Sequence, residues 1–330
     1  MKSWLIRTGG KLGGYQAARL LTRHQPKILM YHRFSEDPSS TTVSRSGFER
    51  QLGIIKRWFN PMTLTQLAEA QAQRRVPKHA VVITVDDGYR DFYEIAYPLL
   101  HHYGVPATFF VTTGFINRDN WLWPDQVAWL LARRNANLGR RRIAELELDM
   151  DRPRSELWQA LIDRFLSVPN VDRLSGLAEL ERLCDVPLPT QAPDEYGASG
   201  WDQLKEMQQN GIEIGGHTYS HPSLGHMSRE EVDQELALTT KLLNEHLGHG
   251  PRSFCYPNGT PEDYSGAIKD QVRKAGFTAA VTAFSDRYNV QLDYAWRRFV
   301  GTEEDFQFHK SLFGVEHLGN QLRRTERCEY

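Results

Sequence analysis

The stretch Ala80-Val-Val-Ile-Thr-Val-Asp-Asp-Gly-Tyr89 carries an apolar run into two adjacent carboxylates, Asp86 and Asp87. The run is continuous and mostly β-branched, which suits a strand of a parallel sheet covered on both faces. Adjacent residues at a strand end project in different directions, so one carboxylate can bind a cation while its neighbour handles protons. A second stretch, Glu213-Ile-Gly-Gly-His-Thr-Tyr-Ser-His221, places His217 and His221 four apart directly after a short strand. One carboxylate and two histidines leave coordination positions open, as in catalytic rather than structural metal sites.

Each residue also has a plainer use. Asp86 and Asp87 fit a helix cap and a turn. The histidines could satisfy buried carbonyls, and His32, at the end of another strand, could be structural. Trp121, Trp123 and Trp296 are either core or platforms for a bound ligand. The joint occurrence of the acid pair and the histidine pair favours chemistry.

The elements that must position these residues alternate regularly. Strands are predicted over 28–32, 80–85, 107–111, 212–215, 253–256, 278–282 and 297–300, with helices between them. This alternation indicates a parallel sheet, and seven units with polar residues at strand ends suggest an imperfectly closed barrel. Capping signals at Ser46–Glu49, Thr63–Gln66 and Ser228–Glu231 mark helix starts. Residues 117–198 break the rhythm with several helical patterns and read as a mainly helical insertion covering the site. The barrel is placed at 27–302. Residues 303–330 read as a tail without strong signal. The basic segment 1–26, with Arg7, Arg19 and Arg23 among leucines and aromatics, suits a helix on an anionic membrane surface or one closing an end of the barrel.

The 330 residues carry a formal charge of −1, which gives no field to recruit nucleic acid. Cys184, Cys255 and Cys328 show neither disulfide nor metal spacing. No apolar run is long enough to span a membrane or to act as a leader. A cytoplasmic protein is the expectation, at the inner membrane face if the basic segment binds there.

Ile83-Thr-Val-Asp-Asp-Gly88, Gly104-Val-Pro-Ala-Thr-Phe-Phe110, His217-Thr-Tyr-Ser-His221 and Tyr256-Pro-Asn-Gly259 occur in that order. Together they resemble the polysaccharide deacetylases of carbohydrate esterase family 4, over about residues 27–116 and 199–300. The resemblance implies a distorted (β/α)7 barrel and metal-dependent hydrolysis of N-acetyl groups on sugars. It implies Asp86 as general base and Asp87, His217 and His221 as ligands of a divalent metal, with zinc expected. Two departures point to a circularly permuted branch. Cys255 stands where many members have an arginine, and Arg298 on the last strand looks like its replacement. The C-terminal Leu-x-His of many members has no equivalent, and Met30-Tyr31-His32 takes its place, making His32 the general acid. Tyr256, Pro257, Asn258 and Trp296 are then expected around substrate, with the Asn258 backbone N–H at the oxyanion.

The leading function is removal of N-acetyl groups from an amino sugar in a glycan or lipid-linked glycan precursor. A deformylase or other non-peptide C–N hydrolase on the same scaffold is the alternative. A glycan-binding pseudoenzyme is a third reading, kept open by the displaced arginine and acid.

Overall fold

The computed structural model describes residues 13–322 except 39–40, 249, 251, 261–262 and 284–293. Seven parallel strands form the frame: β1 (Lys27–Tyr31), β2 (Ala80–Val85), β3 (Ala107–Val111), β4 (Ile212–Gly216), β5 (Ser253–Cys255), β6 (Ala279–Val281) and β7 (Phe299–Val300). Their spatial order is β6-β5-β4-β3-β2-β1-β7, and Asn60–Pro61 adds a short strand at the foot of β2. The sheet curls, as the alternation predicts. The segment before β7 reaches its far edge: Trp296 bridges Val281 of β6, and Phe299 and Val300 then pair with β1.

Side-chain alternation divides the sheet into two faces. Leu29, Tyr31, Val81, Ile83, Val85, Phe109 and Val111 pack outward in the large core shared with the helices. Ile28, Val82, Phe110, Cys255, Val281 and Trp296 form a separate interior cluster with Leu64 and Leu67. The helix Leu64–Ala72 therefore plugs the end of the barrel opposite the strand C-termini. Its first turn is received by interior polar groups: Leu64 N–H donates to Thr108 Oγ1 at 2.9 Å and Thr65 N–H to Glu213 Oε2 at 3.0 Å.

That plug corrects one expectation. The N-terminal helix, Tyr15–Leu21, lies elsewhere, with the Tyr15 ring against His309 and Phe313; residues 1–12 lie outside the described region. The presumed tail is helical, over Asp305–Leu312 and Val315–Leu322, and buries Phe308, Leu312 and Phe313. The cap at Ser46 also moves: Ser44 caps the helix Arg45–Trp58, accepting from Gly47 N–H.

The insertion contains helices Trp123–Arg133, Arg154–Leu166 and Asn170–Cys184, and a hairpin, Arg140–Ile143 with Leu146–Asp149. Leu130, Leu157, Phe165 and Leu180 join the same core as the outer face of the sheet, so the insertion packs as part of the domain.

Candidate metal and catalytic site

The site lies at the C-terminal ends of β1, β2, β4 and β5, where parallel α/β folds collect functional groups, and Arg298 enters it from just before β7. β1 and β2 run in register, with Tyr31 opposite Val85. Asp86 N–H donates to Tyr31 O at 3.0 Å, which aligns the two strand ends. His32 follows directly, its Nε2 3.7 Å from Asp86 Oδ2, with its side chain 46% exposed. Asp86 itself is buried.

Arg298 reaches Asp86 from the other side. Its Nη1 and Nη2 donate to Asp86 Oδ1 and Oδ2, each at 2.7 Å. The guanidinium also donates to Thr84 Oγ1, to Thr282 O and to Cys255 Sγ, so this buried fork is fully oriented. Burial pushes Asp86 upward, but the Arg298 charge and hydrogen bonds outweigh it and hold the carboxyl below its ordinary value. The buried Asp86 carboxyl is thus held toward its ionised form. Thr84 was not singled out from the sequence, although an inward-facing threonine two residues before Asp86 was the available signal.

Asp87 turns away from its neighbour because its backbone is left-handed, with φ 77°. Gly88 continues the turn at φ 105°, where an added Cβ would also meet Ile116 Cδ1 at 2.9 Å. Asp87 Oδ1 lies 3.4 Å from His217 Nε2 and 3.3 Å from His221 Nε2. These three donors lie within 4.8 Å of one another and are buried. They suit a divalent cation: His217 Nδ1 is engaged by Cys255 O at 2.8 Å, which leaves Nε2 facing Asp87. Burial lowers His221 below its ordinary value, toward the neutral form that ligates metals. A second cluster, Asp86 with His217 and Cys255, fits a cation poorly, because Arg298 already occupies both Asp86 oxygens.

The residues between the histidines form a loop, not a helix. Glu235 holds it, accepting from Tyr219 N–H, Ser220 N–H and Ser220 Oγ at 2.8, 2.9 and 2.6 Å. Glu235 belongs to the helix Arg229–Leu247, and nothing in the local sequence marked it.

Above these groups lies a cavity of about 260 Å³ lined by His32, Asp86, Asp87, His217, His221, Tyr256, Asn258 and Arg298 together with Trp123, Pro124, Trp158 and Ile162 of the insertion. Asn258 has φ 60° and a buried Nδ2 with no hydrogen-bond partner, a donor beside the cavity in addition to the backbone N–H anticipated there. Trp158 and Ile162 escaped the sequence reading, although their i, i+4 spacing puts them on one helix face. Pro257 is not among the lining residues, and Trp121 is buried against Tyr196 with its Nε1 donating to Pro189 O. Trp296, expected at substrate, is buried in the barrel interior, because its strand position points inward below the cavity.

Comparisons with known proteins agree with this geometry. The profile of the family described as "Polysaccharide deacetylase" matches residues 73–143 and 182–280, just over half of the chain. The poly-beta-1,6-N-acetyl-D-glucosamine N-deacetylase of Staphylococcus aureus is 34% identical over 95 residues, covering 28% of this chain and 33% of the relative's length. YxkH of Bacillus subtilis, named as a polysaccharide deacetylase, is 32% identical over 124 residues, covering 37% and 44%. The chain thus spans less than half the length of these relatives. Among solved structures, the Streptococcus pyogenes deacetylase PplD superposes with TM-score 0.55 at 18% identity, over 91% of this chain and 98% of that one. IcaB from Ammonifex degensii gives 0.55 at 19%, over 87% and 97%. At these identities the likeness is one of fold.

Proposed function

The chain belongs to the polysaccharide deacetylase family of hydrolases, and from that premise we propose that it removes N-acetyl groups from an amino sugar of a glycan or lipid-linked glycan precursor. The observation that carries the reading is the buried Asp86–Arg298 pair beside the Asp87, His217 and His221 cluster, both opening on one cavity. The named action of the S. aureus relative on an N-acetylglucosamine polymer supports the substrate class.

Amide hydrolysis needs an activated water, a stabilised oxyanion and a proton for the leaving amine. Asp87, His217 and His221 would hold the divalent cation, zinc in this reading, which supplies Lewis acidity toward water and the carbonyl. Asp86, kept ionised by Arg298, accepts the water's proton. His32, close to Asp86 and open to the cavity, delivers a proton to the amine; such help is typically worth about 10²–10⁴-fold. Asn258 offers its N–H groups to the developing oxyanion. Trp123 and Trp158 give the acetamido sugar an apolar wall.

His32 arriving on the first strand and Arg298 on the last support assignment to the permuted branch. The basic segment 1–26 is proposed as a peripheral membrane contact facing the reducing cytoplasm. Leu20 and Leu21, 52% and 73% exposed, and the buried free thiols of Cys184 and Cys255 support that placement. No described helix is long and apolar enough to cross a membrane. Binding to anionic vesicles that persists without residues 1–26 would sink the membrane contact.

The deciding assay is acetate release from N-acetylglucosamine oligomers by metal-loaded protein, wild type beside Asp86→Asn. Acetate from the wild type alone supports the proposal. Formate from an N-formyl sugar in its place would move the reaction to deformylation. A metal-free, inert protein that still binds glycan would make it a binding module.

A further inference from the structure

In the proposed reaction His32 delivers a proton to the leaving amine, yet no hydrogen bond among the described residues fixes its ring. The side chain is 46% exposed, and Asp86 Oδ2 stands 3.7 Å from Nε2, beyond hydrogen-bond distance. His217, by contrast, has its ring set by Cys255 O. Proton transfer depends on geometry before it depends on acidity, so a ring without its own partner has to be aimed through its backbone.

The residues on either side of His32 are anchored. Before it, Tyr31 is buried, its Oη donates to Gln51 Oε1 at 2.7 Å, and its carbonyl accepts from Asp86 N–H. After it, one carboxylate takes hold of two consecutive residues. Asp91 Oδ2 accepts from Arg33 Nε at 2.5 Å, and Asp91 Oδ1 accepts from Phe34 N–H at 3.2 Å. Arg33 Nη2 also donates to Glu195 O of the insertion at 2.8 Å, and the guanidinium lies 4.0 Å from the centre of the Tyr89 ring. The Arg33 and Asp91 side chains are only 27% and 12% exposed, so the pair is screened less than a surface ion pair. Tyr89 and Asp91 follow directly on the Asp86–Asp87 turn. One short stretch of chain therefore carries the base, a candidate metal ligand and the groups that grip the residue after the acid.

We infer that the Arg33–Asp91 clamp positions His32: it fixes the backbone on which the acid's ring turns and so aims its proton at the leaving amine. The inference rests on the assignment of His32 as acid in the proposed deacetylation. With both neighbours fixed, the ring keeps a few staggered positions about one Cα–Cβ direction. Loosening the clamp lets that direction wander, and a displacement of about 1 Å at a reacting group can cost about 10²-fold in rate. Arg33 and Asp91 act through His32 and are positioning residues.

The test uses the metal-loaded full chain carrying Arg33→Met or Asp91→Asn, each alone and together with His32→Ala. Two substrates are compared: an N-acetylglucosamine oligomer, whose amine leaves only with a proton, and 4-nitrophenyl acetate, whose phenolate leaves without one. We expect Arg33→Met to lower kcat on the oligomer by about 10–100-fold with little change in KM, a loss at least about tenfold greater than on the ester. His32→Ala alone should cost about 10²–10⁴-fold on the oligomer, and adding Arg33→Met to it should cost nothing further. Equal losses on the two substrates, or a further loss in the His32→Ala background, overturn the inference. A readout independent of turnover is the His32 ring signal in a carbon–proton NMR spectrum, identified by its disappearance in His32→Ala. It should shift or broaden in both clamp variants, while the signal of His217 stays in place. An unmoved His32 signal in both variants overturns the inference whatever the kinetics. If no glycan releases acetate but the signal moves, the clamp stands and the deacetylase reading falls. If His32→Ala keeps its full kcat on the oligomer, the acid assignment falls and takes the inference with it.

Discussion

The two candidate ligand histidines are held by different parts of the molecule. His217 follows β4 directly and is oriented by Cys255 O of the adjoining β5, so the barrel alone sets its ring. His221 lies beyond a turn, with φ 58° and a buried Nδ1 lacking a protein partner. Its backbone N–H donates to Thr218 Oγ1 at 3.1 Å within the loop, and its carbonyl takes two further donors, Trp123 Nε1 at 3.0 Å and Arg173 Nη1 at 3.4 Å. Both donors come from the insertion. Arg173 is buried, lies over the Trp123 ring, and is pulled down to about 10 by burial. One candidate ligand is therefore set by the barrel, while the other is held in part by the insertion.

The largest effect should come from the residue both halves share. Asp87→Ala removes the carboxylate between the histidines, and metal content measured by mass spectrometry should fall from about one ion per chain to none. Retention of a full equivalent would place the cation elsewhere. Next, Arg298→Leu strikes the barrel half. It leaves Asp86 buried without its counter-charge, at a cost of about 3–5 kcal/mol in chemical denaturation. Burial then raises Asp86 with only His32 and His217 pulling against it, so the acidic limb of the rate–pH profile should move to higher pH. An unmoved limb would remove Asp86 from the role of base.

The insertion half should respond more mildly. Arg173→Leu and Trp123→Phe are expected to weaken metal affinity by about 10–100-fold in a chelator competition while sparing the fold. Loss of affinity without unfolding would sharpen the contrast between the histidines, and unchanged affinity would break it. The smallest effect lies at the seam, where Tyr89 Oη donates to Asp125 Oδ2 at 2.6 Å. Burial raises the Asp125 carboxyl to about 7. The folded protein therefore binds this proton more tightly than the unfolded chain, and the contribution to stability declines as pH rises from about 4 to 7. Asp125→Asn should gain on the order of 1 kcal/mol over wild type above pH 7, with the difference vanishing near pH 4. Parallel melting curves across that range would show it.

How much of this was legible depended on distance along the chain. β2, Asp86, Asp87 and the histidine pair are local patterns: an apolar run, a turn glycine, a fixed spacing. Their neighbourhood could be read from a few residues. Glu235, Thr84 and Arg173 act across folded distances, and an isolated carboxylate, threonine or arginine on a helix or strand carries no mark of its partner. Trp296 shows the same limit from the other side: its residue type suited a sugar platform, but its strand position assigns it to the interior. The helices after residue 302 were missed because each is only eight residues long, and a short apolar face such as Phe308 and Leu312 becomes meaningful only against the packed core.

The segment from Trp296 to Val300 also bears on how the protein is made. It bonds both edges of the curled sheet and carries Arg298 between them. During synthesis, Asp86 emerges long before the residue that neutralises its buried setting. A nascent chain lacking this segment has an open sheet and an acid with no counter-charge, which opposes early burial at that strand end. Closure of the curled sheet and neutralisation of Asp86 thus both await β7, which leaves the ribosome after the six other strands of the frame.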